Sequence, residues 1–288
     1  MKNTESQNIT EFFRNIRLKL EEAYDSREAR SLALVLMEYI AGIDMKEMIV
    51  EPDAYLDEVE KERIMSAVER LLKHEPVQYI IGLAYFAGNE FEVTPDVLIP
   101  RPETEELVRW ILEDHAGSDN LSIADVGTGS GCIAVSLSLR MSDAEIDGLD
   151  ISKAALELAA KNNEELGGRV KFFKLDIIDE TTWVQKIYDV IVSNPPYIPE
   201  QHKKSLSANV AGYEPESALF VPGDDALLFY RALSGFAKTH LSSSGSVYVE
   251  VHEELAAEVV ELFKSQGFSQ VIFHSDINDK PRMVKAVL

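Results

Sequence analysis

Leu121-Ser122-Ile123-Ala124-Asp125-Val126-Gly127-Thr128-Gly129-Ser130-Gly131 is a strand running into a glycine-rich turn. Residues 121–126 form a short, mostly apolar run fit for a buried strand, and residues 132–139 continue as a helical segment. In that order, strand, loop and helix bring the free N–H groups of a helix start to the strand's C-terminal end. Glycines there take unusual φ and let a ligand approach the backbone closely. The spacing is G-x-G-x-G, with Cys132 where a dinucleotide fingerprint would carry its third glycine. That departure argues against a nicotinamide dinucleotide.

The neighbouring strands extend the pattern. Residues 145–149 form the next strand and end at Asp150, about 20 residues past the glycines, where a carboxylate accepts from both hydroxyls of a ribose. A nucleoside cofactor is implied. A third strand, 170–175, ends at Asp176 and Ile177, a carboxylate and an apolar side chain suited to the amine and face of an adenine. From Ser122 onward, strands and helices alternate, which predicts a mostly parallel sheet with helices on both faces. Its ligands then lie outside the C-terminal strand ends.

At one such end, the apolar run 188–192 and Ser193 lead into Asn194-Pro195-Pro196-Tyr197. Proline lacks the N–H that a central strand needs, so the strand stops there. The Asn194 side-chain oxygen and the Pro195 carbonyl are left able to accept from a ligand, with Tyr197 as a flat aromatic face beside them. Such an array fits a donor-rich planar group, a carboxamide or the exocyclic amine of a base. A Pro-Pro turn that only ends a strand is the plainer alternative.

The first eighty or so residues read as helices, with stripes at Ile9, Phe12, Phe13, Ile16 and Leu20, at Leu32, Val35, Leu36, Tyr39 and Ile40, and at Ile64, Val68 and Leu71. Gly42 and Glu51-Pro52 punctuate them. A hairpin turning at Ala87-Gly88-Asn89 follows and links this region to the next. Pro100 and Pro102 stiffen the entry to a helix over 103–114. Further on come a helix over 225–240, a strand over 246–251, a helix over 253–266 and two strands, 270–274 and 283–287. The tight Asn278-Asp279 connection makes those last two antiparallel. Residues 198–224 show no periodicity and contain Gly212, Pro215, Pro222 and Gly223, as a substrate loop or lid would.

With 28 Lys+Arg against 50 Asp+Glu, the formal charge of −22 is unsuited to neutralising phosphates. Direct nucleic-acid binding is therefore not expected, and Lys171, Lys174, Lys203 and Lys204 read as surface residues. The 288 residues hold one large and one small domain. The single Cys132 excludes an intrachain disulfide and reads as a small core filler, and no apolar leader or membrane-length run is present. A cytoplasmic protein without membrane attachment is expected. The six histidines lack ligand spacing, so no metal is expected.

The order Asp125-x-Gly127-Thr128-Gly129-Ser130-Gly131, Asp150, Asn194-Pro195-Pro196-Tyr197 resembles class I S-adenosylmethionine-dependent methyltransferases that act on a planar nitrogen. Glu75-Pro76-Val77-Gln78-Tyr79-Ile80-Ile81-Gly82, Phe86 and Leu98-Ile99-Pro100-Arg101-Pro102-Glu103-Thr104-Glu105 narrow the resemblance to the HemK/PrmC family. It extends from about Glu75 to the C-terminus; before that the likeness is one of helical layout. The resemblance implies a Rossmann-like sheet with an antiparallel last strand. It implies an N-terminal helical recognition domain over 1–78, a hairpin and linker over 79–104, and a methyltransferase domain over 105–288. The implied cofactor is S-adenosyl-L-methionine, held by Gly127, Thr128, Gly129, Ser130, Gly131, Asp150, Asp176, Ile177 and Asn194. The implied substrate is the glutamine of the Gly-Gly-Gln motif in class I peptide chain release factors, bound by Asn194, Pro195, Pro196 and Tyr197, of which Asn194, Pro195 and Tyr197 act in the transfer. Arg101 and Thr104 lie near the cofactor in this family. A monomer is expected. A ribosomal-protein glutamine and a nucleobase amine are alternative targets of the same chemistry, and a noncatalytic nucleoside sensor is a more distant one. The sequence departs from the family pattern after Glu214-Pro215 and Ala218-Leu219, where a glycine position is filled by Asp225 or its neighbour, and at Asp279, where glycine is common. Asp tolerates the left-handed conformation that glycine would supply.

Overall fold

The computed structural model describes residues 8–183, 185–205 and 208–288. The chain divides into two compact units, 1–82 with 208–213, and 83–207 with 214–288.

The first unit begins with five helices, α1 (Ile9–Leu20), α2 (Ser26–Ala41), α3 (Met45–Val50), α4 (Glu58–Leu71) and α5 (Val77–Ile81). Short acceptor side chains set their starts. Asn8 caps α1 and Asp25 caps α2, while Asp44 with Glu47 and Asp57 with Glu60 form reciprocal capping boxes on α3 and α4. Gly42 ends α2 in the left-handed conformation at φ 69°. The apolar stripes meet in a core of Ile16, Leu20, Leu36, Ile64 and Val68, all fully buried. The sequence stripes marked α1, α2 and α4. Helices α3 and α5, six and five residues long, are too short to show a period.

The second unit opens with the hairpin β1 (Leu83–Phe86) and β2 (Asn89–Glu92), whose turn places Ala87 and Gly88 at φ 48° and 85°. Then follow α6 (Pro102–Asp114), β3 (Ser122–Val126), α7 (Cys132–Arg140), β4 (Glu145–Asp150), α8 (Lys153–Leu166), β5 (Lys171–Lys174) and β6 (Tyr188–Ser193). Past β6 come β7 (Ile198–Pro199), a 3-10 turn (Glu200–Ser205), α9 (Ala208–Tyr213), which groups with the first unit, α10 (Glu216–Leu219) and β8 (Phe220–Val221). The chain closes with α11 (Leu228–His240), β9 (Leu241–Glu250), α12 (Ala256–Ser265), β10 (Gln270–Ser275) and β11 (Pro281–Val287).

Seven strands form one sheet in the order β10-β11-β9-β6-β3-β4-β5. Every neighbouring pair from β9 to β5 is parallel, and β11 runs antiparallel to both β9 and β10. The fold class is as the sequence implies. One face of the sheet packs Leu233 and Phe236 of α11 with Val259 and Phe263 of α12; the other packs Leu107 and Ile111 of α6 with Ile133 and Leu137 of α7. The chain runs outward from β3 through β4 to β5 and returns to β6 on the other side of β3. Between β3 and β6 the strand order reverses, and a crevice opens there at the C-terminal strand ends.

Three expectations are corrected. Residues 198–224 are a string of short elements, with β7 paired to β8, rather than a structureless loop; Leu206 and Ser207 within it lie outside the described residues. Strand β9 begins at Leu241 instead of Ser246, directly off α11, because it pairs with Tyr188 across the sheet and Ser242 donates to Asp189 Oδ1 at 3.0 Å. Helix α12 starts at Ala256, three residues later than expected. Asp279 does take the glycine-like conformation, at φ 59°.

Candidate active site

The crevice is a cleft of about 410 Å³ whose walls include the glycine loop, Asp150, Asp176 and Asn194, a volume within the range of small-molecule sites. Gly127 and Gly129 line it at φ 76° and 55°. A Cβ on Gly127 would meet no atom within 4 Å, so backbone conformation and not packing requires glycine there. Gly131 differs. It does not line the cleft; at φ 81° it starts α7, and a Cβ would sit 3.1 Å from that of Ala159 on α8. Its role is to let two helices close on one another.

Two carboxylates hold this loop. Asp125, fully buried at the penultimate position of β3, accepts from Thr128 Oγ1 at 2.7 Å and from the Ala134 N–H at 3.2 Å. Burial pushes its pKa up to about 7. Asp150, at the end of β4, accepts from the Gly129 N–H and the Ser152 N–H, each at 2.9 Å. Each of its oxygens keeps a further lone pair for a ligand hydroxyl. Burial raises its pKa against the opposing backbone hydrogen bonds. Ser130 also lines the cleft, its buried hydroxyl beside the Cys132 thiol and without an oxygen or nitrogen partner among the described residues. This set of a glycine backbone that a ligand can approach closely, a strand-end carboxylate with spare lone pairs and a buried serine hydroxyl fits a nucleoside with a polar tail.

Farther along the wall, Asp176 accepts from the Ile178 N–H at 2.9 Å and Ile177 packs on the core beside Trp183, whose Nε1–H reaches the Ile177 carbonyl at 3.3 Å. Both line the cleft, as an adenine pocket requires. Cys132 lines it too, half-buried, its thiol pushed up to about 12 by burial and therefore protonated at neutral pH.

Asn194, Pro195 and Pro196 stand on the β6 side of the cleft. Asn194 Nδ2 donates to Thr104 Oγ1 at 3.3 Å, and the Thr104 hydroxyl donates to Glu250 Oε2 at 2.5 Å. Arg101 pairs with Glu214 Oε1 at 2.5 Å, and the Glu214 side chain is 1% exposed. Arg101 and Thr104 thus line the cleft while each is engaged by a buried carboxylate. Tyr197 is not in the cleft wall. Its ring packs against the core, 5.8 Å from that of His252, and burial pushes its hydroxyl up to about 12. The aromatic rings in the wall are Phe220 and Phe229.

Sequence reasoning missed Glu250, Glu214 and Gly148. The β6–β9 register that sets Ser193 against Val249 carries Glu250 to the side of Asn194, a neighbourhood that no local pattern encodes. Gly148, in β4, is forced by close approach, since a Cβ would lie 2.6 Å from the Phe172 ring and 3.2 Å from Thr128 Oγ1.

The methyltransferase small domain family matches residues 104–211, and the PrmC N-terminal domain family matches residues 11–82. The release factor glutamine methyltransferase of Bacteroides thetaiotaomicron is 38% identical over 271 residues, covering 94% of this chain and 97% of the relative. The chain belongs to the release factor glutamine methyltransferase family. Its relative in Bacillus subtilis is 38% identical over 267 residues, covering 91% of this chain and 92% of the relative. Solved structures show the same fold at lower identity. The catalytic domain of hMettl16, in complex with a MAT2A 3′UTR hairpin, matches with a TM-score of 0.54 at 17% identity, covering 80% of this chain and 81% of that one. The T. thermophilus 16S rRNA N2 G1207 methyltransferase, in complex with AdoMet and guanosine, matches with a TM-score of 0.53 at 19% identity, covering 71% and 49%. As a member of this glutamine methyltransferase family the chain is an S-adenosylmethionine-dependent enzyme with the class I fold, and the resemblance carried by Glu75 to Gly82 and Leu98 to Glu105 is borne out. No helix among the described residues is long and apolar enough to cross a membrane.

Proposed function

We infer that the chain transfers a methyl group from S-adenosylmethionine to the side-chain amide nitrogen of a release-factor glutamine, the one in the Gly-Gly-Gln motif of class I factors. The observation that carries this reading is Asn194 and Pro195 at the wall of a nucleoside-sized cleft in a chain of this family. Asp150 would hold the ribose, the glycine loop and Ser130 the polar tail, and Asp176 with Ile177 the adenine. When bound, the cofactor supplies a methyl group already activated on a sulfonium.

The protein's task is to orient a poor nucleophile. A carboxamide lone pair is delocalised into its carbonyl, so the nitrogen attacks only if the lone pair is aimed along the transfer axis. The Asn194 Oδ1 and the Pro195 carbonyl accept from the two amide N–H bonds and fix that aim. Such positioning supplies up to roughly 7 to 11 kcal/mol. As positive charge develops on the nitrogen both hydrogen bonds strengthen, which stabilises the transition state more than the ground state. No strong general base is needed, and the surplus proton leaves to water.

Residues 198–224 serve as the substrate loop; Glu214 holds Arg101, and Ser217, Ala218 and Phe220 contribute to the cleft wall. The formal charge of −22 favours a protein substrate over a nucleic acid. A cytoplasmic monomer acting on free release factor completes the reading. Transfer of labelled methyl to purified release factor, set against ribosomal RNA and ribosomal protein in parallel, tests it. Label should enter the release factor and be absent when its target glutamine is replaced by alanine; label in RNA or ribosomal protein would overturn the substrate assignment.

A further inference from the structure

The mechanism above requires the oxygen of Asn194, and not its NH2, to face the substrate amide. An Asn side chain has no intrinsic preference between its two ends, so something must fix the choice. Among the described residues the Asn194 amide is held by Thr104, which in turn donates to Glu250. We propose that Glu250 is a positioning residue for the transfer, which through the Thr104 hydroxyl holds the Asn194 oxygen toward the substrate nitrogen. The proposal rests on the glutamine-methylation reading and deepens it.

The polarity follows from donor and acceptor counting. An ionised carboxylate only accepts, so the single Thr104 proton is committed to Glu250 Oε2. The Thr104 oxygen can then only accept from Asn194, and only Nδ2 can donate to it. Oδ1 is left pointing away from Thr104, toward the ligand side. The negative charge at the end of this chain also polarises each link, which makes Oδ1 a stronger acceptor. A proton on Glu250 lets the chain reverse: the acid donates to Thr104, Thr104 donates to Oδ1, and the NH2 is turned to the substrate.

Glu250 is placed for this role and for no direct one. It ends β9, is 4% exposed and does not line the cleft. The groups facing it are Arg101 and Glu103 at the start of α6, Arg282 of β11, Tyr197 after β6, Tyr230 of α11 and Cys132 of α7. Tyr230 donates to its backbone carbonyl at 3.1 Å. Burial outweighs the Thr104 bond and the two arginines and holds the carboxyl near neutrality, at about 7. The reversal therefore falls within an accessible pH range.

The test compares the full-length protein with Glu250→Gln, Thr104→Val and Thr104→Ser, using S-adenosylmethionine and release factor between pH 5.5 and 8.5. Wild-type turnover should rise with pH through a limb near 7 that is absent in Glu250→Gln, whose turnover is about 10- to 100-fold lower, the loss of one charge-assisted hydrogen bond. S-adenosylmethionine affinity should be unchanged within threefold. Thr104→Ser should rescue most of the turnover that Thr104→Val loses. Independently of turnover, the Asn194 side-chain amide resonances should titrate with that same midpoint in wild type and stay fixed in Glu250→Gln. Wild-type-like turnover and pH profile in Glu250→Gln, equal loss in both Thr104 variants, or an Asn194 amide that does not titrate would each overturn the proposal. Absence of any methylation by wild type would instead overturn the substrate reading, with the resonance titration still deciding the relay.

Discussion

Replacing Asp150 by Asn keeps the shape of the side chain and removes its charge. The carboxylate receives two backbone donors, Gly129 N–H and Ser152 N–H, one on each oxygen. An amide cannot serve both, because its NH2 must face one of them. The variant therefore loses one charge-assisted bond to the loop or the α8 start and at least one to a ribose hydroxyl, each about 1.5–3 kcal/mol. Together they amount to about 3–6 kcal/mol, or roughly 10²- to 10⁴-fold in the Kd for S-adenosylmethionine. Stability should respond differently. Burial raises the Asp150 pKa in the folded state, so its contribution to stability is present at low pH, where the group is protonated, and is lost as pH rises through the raised value. At pH 7.5 the neutral Asn is spared that penalty, and Tm should stay within a few degrees of wild type. Calorimetric titration with S-adenosylmethionine, paired with thermal unfolding, separates the two effects. An affinity within threefold of wild type, or a loss that appears only together with a large fall in Tm, would refute the reasoning.

Asn194→Ala should lower turnover about 10²- to 10³-fold, the scale for losing one preorganised polar contact to developing charge, while S-adenosylmethionine binding measured by titration falls less than about threefold. Gly131→Ala should lower Tm, because the left-handed φ of 81° costs about 1–2 kcal/mol and the new Cβ meets Ala159 at 3.1 Å; unfolding of Gly127→Ala, strained but uncrowded, gives the comparison and should fall less. Asp125 and Glu250 are both buried and both held up to about 7, so each favours the folded state when protonated and withdraws that support as pH rises toward and through 7. The decline in Tm from pH 5 to pH 8 should be shallower in Asp125→Asn/Glu250→Gln than in wild type, and an identical slope would count against burial as the cause.

What the sequence made legible was the strand ends. Parallel strands buried on both faces read as apolar runs, and the polar residue that ends each run falls at the cleft, which is how Asp150, Asp176 and Asn194 could be placed from spacing and resemblance. Helices α1, α2 and α4 were legible from their apolar stripes, whereas the residues that cap them, Asn8, Asp25 and Asp57, were seen only in the structure. What was hidden is lateral. Glu250 and Asn194 are neighbours only because β9 lies beside β6, and nothing in Val249-Glu250-Val251-His252-Glu253 distinguishes the buried carboxylate from the half-buried one three residues on. The polar run Ser242-Ser243-Ser244-Gly245 disguised the first half of β9 as a loop, since its partners are supplied across the sheet. Tyr197 was read from its neighbours in sequence as a cleft residue, whereas two prolines turn the chain so that its ring joins the core. Residues 198–224 resisted reading because their elements run two to six residues, below any detectable period.

Peptide mass mapping of the Gly-Gly-Gln loop, after incubation of the protein with S-adenosylmethionine and a class I release factor, tests the central claim most directly. One added methyl on the glutamine side chain with the wild-type protein, and about 1% of that or less with Asn194→Ala over the same short incubation, is the expected result. An unmodified glutamine in the presence of intact cofactor binding, or a methyl on another residue of the factor, would contradict it.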